Sequence, residues 1–239
     1  MQSIFKRYEK KYLITREQYD ALQRVLFRHM ERDSFGEYLV QNLYFDTENW
    51  NVVRASIEKP LYKEKMRLRC YGVPDKGDKA FLELKKKYKG IVYKRRVAFP
   101  VAELHANTIS GILQRDGGQI ADELAFHLRA NGISERVYIS YHRIAFAGRD
   151  DEGLRVTFDA NAHFRLENLD FIHPGSGLSI LPQDKMLMEV KTLGGMPLWL
   201  SHALCENGVF PASFSKFGQC YTNFILTESQ QKGQVKVSA

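Results

Sequence analysis

Three short segments of this 239-residue chain repeat one arrangement: Glu9-Lys10-Lys11, Glu83-Leu84-Lys85 and Glu189-Val190-Lys191. Each is Glu-x-Lys, and each lies in a stretch that reads as a β-strand. Residues i and i+2 of a strand share a face, so every segment aims one carboxylate and one ammonium at the same side. Other stretches carry charge with the same period. "MRLRC" sets Arg67 beside Arg69, "SYHRIAF" sets Tyr141 beside Arg143, and "LRVTFD" sets Arg155, Thr157 and Asp159 together. "YKRRV" offers Lys94 and Arg96 on one face and Arg95 on the other. The opposite faces, such as Leu82 with Leu84 or Met188 with Val190, are apolar.

For any one strand, a sheet with one solvated face explains this pattern without function. The set as a whole asks for more. The predicted helices are amphipathic and need an oily surface to cover. If they pack on the apolar face, the charged face turns inward, and closing the sheet makes a barrel lined by charge. The inward set would be Glu9, Glu83 and Glu189 with Lys11, Arg67, Arg69, Lys85, Arg143, Arg155 and Lys191, plus one or two of Lys94, Arg95 and Arg96. A buried ion stripped of its partner costs about 3–5 kcal/mol, so this basic excess calls for an anion. Arginine forks suit phosphate oxygens, and a triphosphate or longer phosphate chain would neutralise the excess. The glutamates would repel such a chain unless a divalent cation, Mn²⁺ or Mg²⁺, bridges them to it.

The elements that position these residues follow from periodicity. After the first strand, "TREQYDALQRVLFRHM" reads as a helix with Thr15 as N-cap and Leu22, Val25, Leu26 and Met30 at helical spacing. "GEYLVQNLYFDT", "LYKEKMRLRCYG", "KAFLELKKKYKG" and "IVYKRRVAF" read as strands, the last two as a hairpin. Residues 101–131 turn helical, with a break at Gly117 and Gly118. "ERVYISYHRIAFAG", "LRVTFDANAHFRL" and "MLMEVKTLG" resume the strands, and "PLWLSHALCENG" and "SKFGQCYTNFILTE" read as helices. Runs of strands joined by tight turns point to an α+β fold: a closed antiparallel barrel, or tunnel, of about eight strands with helices packed outside. The chain reads as a single domain over residues 1–228 with a polar, frayed tail over 229–239.

Bulk properties agree. The net charge of +7 favours an anionic partner, and 44% hydrophobic residues suffice for a sizeable core. Three scattered cysteines, Cys70, Cys205 and Cys220, are read as ordinary buried thiols in a reducing compartment. No apolar run is long enough to cross a bilayer and no signal-peptide pattern is present, so a cytoplasmic location is expected. Neither the P-loop nor the dinucleotide-binding glycine pattern occurs. The aromatic residues do not interleave with basic ones as single-strand binders require, so nucleic acid is not the expected partner.

The ordered set "RYEKKYLI", "LYFDT", "KMRLRCYG", "FLELKKK", "YKRRVAF", "SYHRIAF", "LRVTFD", "MEVK" and "FSKFGQCY" resembles the triphosphate tunnel metalloenzyme (CYTH-like) superfamily. Within it, the set is most similar to the polyphosphate polymerase domain of the vacuolar transporter chaperone (VTC) type. The resemblance implies a tunnel that binds ATP or another nucleoside triphosphate and grows or holds inorganic polyphosphate. It implies phosphate-binding roles for Lys11, Arg67, Arg69, Lys85, Arg143, Arg155 and Lys191, and for Ser215 and Lys216 at a helix start. In the "YKRR" stretch the basic position is shared among Lys94, Arg95 and Arg96, with Arg95 preferred by its distance from Gly90. Tyr141 would donate its hydroxyl, and Glu189 would bind the metal, assisted by Glu9 or Glu83. Relatives often carry a lysine where this chain has Ser213. The expected activity is metal-dependent transfer of the γ-phosphate of ATP to a polyphosphate chain. The alternatives are hydrolysis of triphosphate or short polyphosphate, and non-catalytic binding.

Overall fold

The computed structural model describes residues 8–227, apart from 90, 107 and 108. Its centre is one antiparallel sheet with nine strands: β1 (Tyr8–Thr15), β2 (Met30–Asp46), β3 (Tyr62–Tyr71), β4 (Lys79–Tyr88), β5 (Ile91–Pro100), β6 (Ser134–Gly148), β7 (Arg155–Arg165), β8 (Leu178–Ser179) and β9 (Lys185–Thr192). Their order is β1-β9-β7-β6-β2-β3-β4-β5, with the two-residue β8 on β7. Among the described residues seven helices accompany them: α1 (Arg16–His29), α2 (Asn51–Ile57), α3 (Ala102–Ala106), α4 (Ile109–Asp116), α5 (Gln119–Asn131), α6 (Leu198–Glu206) and α7 (Lys216–Cys220), which runs into a π-helical turn over Tyr221–Ile225. Thr15 caps α1 in a reciprocal box with Gln18. The fold is α+β, as the strand runs predict.

Two parts of the architecture differ from the sequence expectation. The sheet is not closed into a barrel: among the described residues, β1 and β5 are its two ends and do not pair. The free edge of β1 is taken by the segment leading into α7. Tyr12 bridges Pro211, and the Ala212 N–H donates to the Lys11 carbonyl at 2.7 Å. That segment occupies edge groups that a closing strand would need. The sheet is nevertheless strongly curled, because Glu9 on β1 reaches Lys85 on β4 at 3.8 Å. The charged face is therefore the concave one, and the result is a trough.

The second difference is that not all helices lie outside. Helices α4 and α5 cover the convex face of β2–β5, burying Leu68, Leu82 and Leu84 against Ile112, Leu124 and Leu128. Helices α1 and α6 cover the convex face of β1, β9 and β7, burying Ile14, Met188 and Val156 against Leu22, Leu26 and Leu200. Helices α2 and α7 instead pack on the concave side. Phe217 stacks on Tyr44 with ring centroids 4.9 Å apart, and Val53 joins the same cluster. Tyr44 pairs with Arg67 in the ladder, which places it on the charged face. Cys70 and Cys220 are buried, while Cys205 is exposed on α6, because its position falls on that helix's solvent side.

Helix α2 is held by Asp46 rather than by its own N-cap. Trp50 at that position has φ of 60° and contributes no side-chain cap. The fully buried Asp46 carboxylate accepts from the Thr47, Val52 and Val53 N–H groups at 2.8, 2.9 and 2.9 Å. Replacing it orphans buried donors. Asp46→Ala is expected to destabilise the fold by about 2–3 kcal/mol in urea unfolding, with Asp46→Asn costing less because the amide oxygen still accepts.

Candidate phosphate-binding trough

Register alone assigns side chains to the concave face. Glu9 pairs with Lys191 and Lys11 with Glu189 between β1 and β9, and Arg155 and Thr157 pair with the same two β9 residues. Arg67 pairs with Glu83, and Glu83 with Arg96; Lys65 pairs with Lys85, and Lys85 with Lys94. Two-residue periodicity thus charges this face on seven strands, with basic side chains outnumbering carboxylates, while β2, between β6 and β3, contributes Val40, Asn42 and Tyr44.

Three groups form around carboxylates. Glu83, 2% exposed, accepts from Arg67 Nε at 2.9 Å and Arg96 Nε at 2.7 Å, and Lys94 Nζ lies 2.5 Å away. Burial alone would raise its carboxyl pKa, but Arg67, Arg69 and Lys94 hold it well below the usual carboxylate range. Asp159, also fully buried, takes a bidentate bond from Arg143 at 2.6 and 2.8 Å and a second cation, Lys216 Nζ, at 2.5 Å. The third group surrounds Glu189. Lys11 lies 3.2 Å from it, Lys191 3.6 Å and Arg143 3.9 Å. Lys11 also meets Glu9 at 3.5 Å, so two carboxylates flank one ammonium.

Tyr141 links the groups. Its hydroxyl accepts from Arg69 Nη2 at 3.2 Å, and the Arg143 and Lys216 cations lie 5.2 and 4.2 Å from its ring centroid. Burial opposes its ionisation, but Arg143 and Arg69 outweigh burial and bring its pKa down to about 8. Ser215 caps α7 by accepting from the Gly218 N–H, and Lys65 Nζ reaches its Oγ at 3.2 Å. Lys65 has no carboxylate partner among the described residues. Burial, reinforced by Lys63, Lys11, Lys85 and Arg67, lowers its pKa to about 7.

Most of the predicted residues meet here: Glu9, Lys11, Arg67, Arg69, Glu83, Lys85, Tyr141, Arg143, Glu189, Lys191, Ser215 and Lys216. Arg155 shares the face by its register with Lys191 but stays exposed. Arg95 is a correction. It pairs with Leu84 on the convex face and donates to Glu123 of α5 at 3.0 Å. Lys94 and Arg96 face the trough in its place. The tight hairpin pairs Tyr88 with Ile91, which fixes the phase of β5 against Glu83. Sequence reasoning missed Lys65 and the anchoring role of Asp159. Lys65 was visible as a period-two extension behind Arg67 and Arg69, whereas the cations on Asp159 come from β6 and α7, which no local period shows.

The donor set permits a metal of limited kind. Among the described residues no cluster of three or more His, Cys, Asp or Glu side chains converges. Glu83 and Asp159 are hydrogen-bonded closely by their cations, at 2.5–2.9 Å, whereas Glu189 and Glu9 hold theirs at 3.2–3.9 Å and keep lone pairs for a metal. Thr157 Oγ1, across the ladder from Glu189, is buried without a hydrogen-bond partner. Two carboxylates completed by phosphate oxygens and water match the habit of Mg²⁺ and similar hard cations. The residues therefore fit such an ion only together with a phosphate ligand.

At its lysine-rich end the trough opens into a cavity of about 990 Å³ lined by Lys11, Lys63, Lys65, Lys85, Lys87 and Ser215 among others. No helix among the described residues is long and apolar enough to cross a membrane.

Comparisons with known proteins complete the picture. No curated protein matches the chain. Solved structures similar to it include the PH1819 protein from Pyrococcus horikoshii OT3, with a TM-score of 0.49 and 13% identity over 94% of this chain and 98% of that one. Another is described as a "putative adenylate cyclase" from Vibrio parahaemolyticus, with a TM-score of 0.49 and 12% identity over 92% of this chain and 100% of that one. A family model for the VTC domain matches residues 6–225. With nearly its whole length matched, the chain belongs to the VTC domain family.

Proposed function

We propose that the chain is a metal-dependent polyphosphate polymerase that transfers the γ-phosphate of ATP to a growing polyphosphate chain. The observation that carries this reading is the trough itself. It gathers eight buried or half-buried cations, Lys11, Lys63, Lys65, Arg67, Arg69, Arg143, Lys191 and Lys216, around three buried carboxylates, Glu83, Asp159 and Glu189. Family membership supports a triphosphate-related activity, and polymerisation is the finer step proposed here.

Phosphoryl transfer needs positioning and charge stabilisation more than covalent help. Arg67, Arg69, Lys94 and Arg96 offer fixed donors to the β- and γ-phosphates, their forks held by Glu83, Asn42 and Tyr44. Arg143 and Lys216 are fixed by Asp159, so they need no reorganisation as charge develops. Lys11, Lys85 and Lys191 provide the remaining cations, and Lys65 and Ser215 extend the path. The nucleophile is the terminal phosphate oxygen of the polyphosphate chain. It is anionic near neutral pH and needs no general base. It attacks the γ-phosphorus, the bond to the β,γ-bridging oxygen breaks, and ADP leaves with that electron pair. Glu189 and Glu9 would hold a Mn²⁺ or Mg²⁺ ion, which supplies Lewis-acid polarisation of the phosphate oxygens. Glu83, expected as a metal ligand, acts in this reading as the organiser of three cations.

The deciding experiment is incubation with ATP and Mn²⁺ followed by gel electrophoresis. A ladder of phosphate chains is expected. Orthophosphate without a ladder would replace polymerisation by hydrolysis, and tight polyphosphate binding without turnover would leave only a binding protein. Lys191→Ala removes a partly exposed cation and should lower turnover about 100-fold while leaving the unfolding midpoint nearly unchanged. A wild-type rate in that variant would take Lys191 out of the site.

Lys65 makes a pH-dependent prediction. Its folded pKa of about 7 lies below the ordinary lysine value of 10.5, so the unfolded chain binds more protons between those values. Its destabilising effect is therefore complete below about pH 7 and fades as pH rises toward 10.5. Lys65→Met should be more stable than wild type in the absence of phosphate ligand, most of all below pH 7, yet bind tripolyphosphate roughly tenfold more weakly. Denaturant titrations at pH 6 and pH 9, with calorimetric binding, check both halves.

A further inference from the structure

On β3 the trough face runs Lys63, Lys65, Arg67, Arg69, Tyr71, and the facing residues on β4 are Lys87, Lys85, Glu83 and Phe81. The surface thus grades from lysine through arginine to aromatic rings. At the aromatic end Phe35, Tyr38, Tyr71 and Phe81 form a continuous edge-to-face row, with successive centroids 6.1, 6.1 and 5.9 Å apart. The row is open to solvent: Phe35 is 78% exposed and Tyr71 38%. It is also joined to the phosphate-binding centre by two arginines. Arg69 lies 5.8 Å from the Tyr71 ring while donating to Tyr141, and Arg96 lies 4.5 Å from the Phe81 ring while donating to Glu83.

A chain of phosphates alone has no group for exposed rings. A nucleoside triphosphate has one, at the end opposite its terminal phosphate. Resting on the triphosphate reading above, we propose that the Phe35–Tyr38–Tyr71–Phe81 row is a stacking platform for the base of the nucleoside triphosphate. From Tyr71 to Arg67 is four strand residues, about 13 Å, a span that an extended nucleotide covers from ring to phosphates. The base then sits at the aromatic end, the phosphates lie on the arginines, and the polyphosphate chain runs to the lysine-lined cavity. Transfer acquires a direction. Stacking reads the face of a ring rather than its edge, so ATP and GTP should bind comparably.

The test is calorimetric binding of ATP and of inorganic tripolyphosphate to the full chain and to Phe35→Ala, Tyr71→Leu and Tyr71→Phe. Phe35 is exposed, so its removal does not threaten the fold. Phe35→Ala is expected to weaken ATP about tenfold, the loss of one stacking contact, and to leave tripolyphosphate unchanged, while Tyr71→Leu, which also removes a hydroxyl bonded to Arg69 and Arg96, is expected to weaken ATP about tenfold more than it weakens tripolyphosphate. Tyr71→Phe, which keeps the ring and loses only the hydroxyl bonded to Arg69 and Arg96, should retain the wild-type ratio of ATP to tripolyphosphate affinity. Equal losses for both ligands would mean that the rings only hold the arginines in place, and overturn the platform, as would no loss for either. A wild-type chain that binds tripolyphosphate well and ATP no better overturns the platform alone. One that binds neither ligand removes the triphosphate reading with it.

Discussion

The structure depends on how a sheet face tolerates so many like charges at close range. Its solution is to place a buried carboxylate at each convergence. Glu83 serves Arg67, Lys94 and Arg96; Asp159 serves Arg143 and Lys216; Glu189 serves Lys11 and Lys191. Each carboxylate is held ionised by its cations, against the burial that would neutralise it. Most of the pairs join different strands, and Lys216 joins α7 to β7, so they also tie the elements together laterally. They do not neutralise the face, and the remaining positive charge is what a polyanion would complete.

Gathering these cations costs stability. Lys65 is the clearest case, half-buried beside other cations with only a serine hydroxyl and an aromatic ring for company. A folded protein free to optimise stability alone would place an apolar side chain there. The trough instead keeps donors preorganised, with arginine forks already bonded on one side and open on the other.

The segment from Pro211 to Cys220 joins the architecture to the site. It covers the free edge of β1, takes the Lys11 ammonium on its Phe214 carbonyl, caps α7 with Ser215 and delivers Lys216 to Asp159. Because it occupies the edge, the sheet curls without closing. Because α7 packs on Tyr44, the trough gains a wall from the far end of the chain. Residues more than two hundred positions apart, Lys11 and Phe214, thereby meet on one charged face.

Much of this was legible in the order of residues. Strand periodicity requires Glu9 and Lys11, or Arg67 and Arg69, to share a face, and the apolar alternates require helices on the other. That local geometry determines the α+β class and the charged surface regardless of the rest. It could not choose between Arg95 and its neighbours, because the phase of β5 comes from its pairing with β4 and not from its own pattern. Nor could it foresee that α2 and α7 pack on the concave side, that Asp159 anchors two cations, or that Phe35, Tyr38, Tyr71 and Phe81 line up. Those facts depend on register and curvature, which arise only when distant strands pair and compete for the same edges. The sequence determined which charges each strand carries; the tertiary structure decided which of them meet, because meeting is set by long-range pairing energies that no local period encodes.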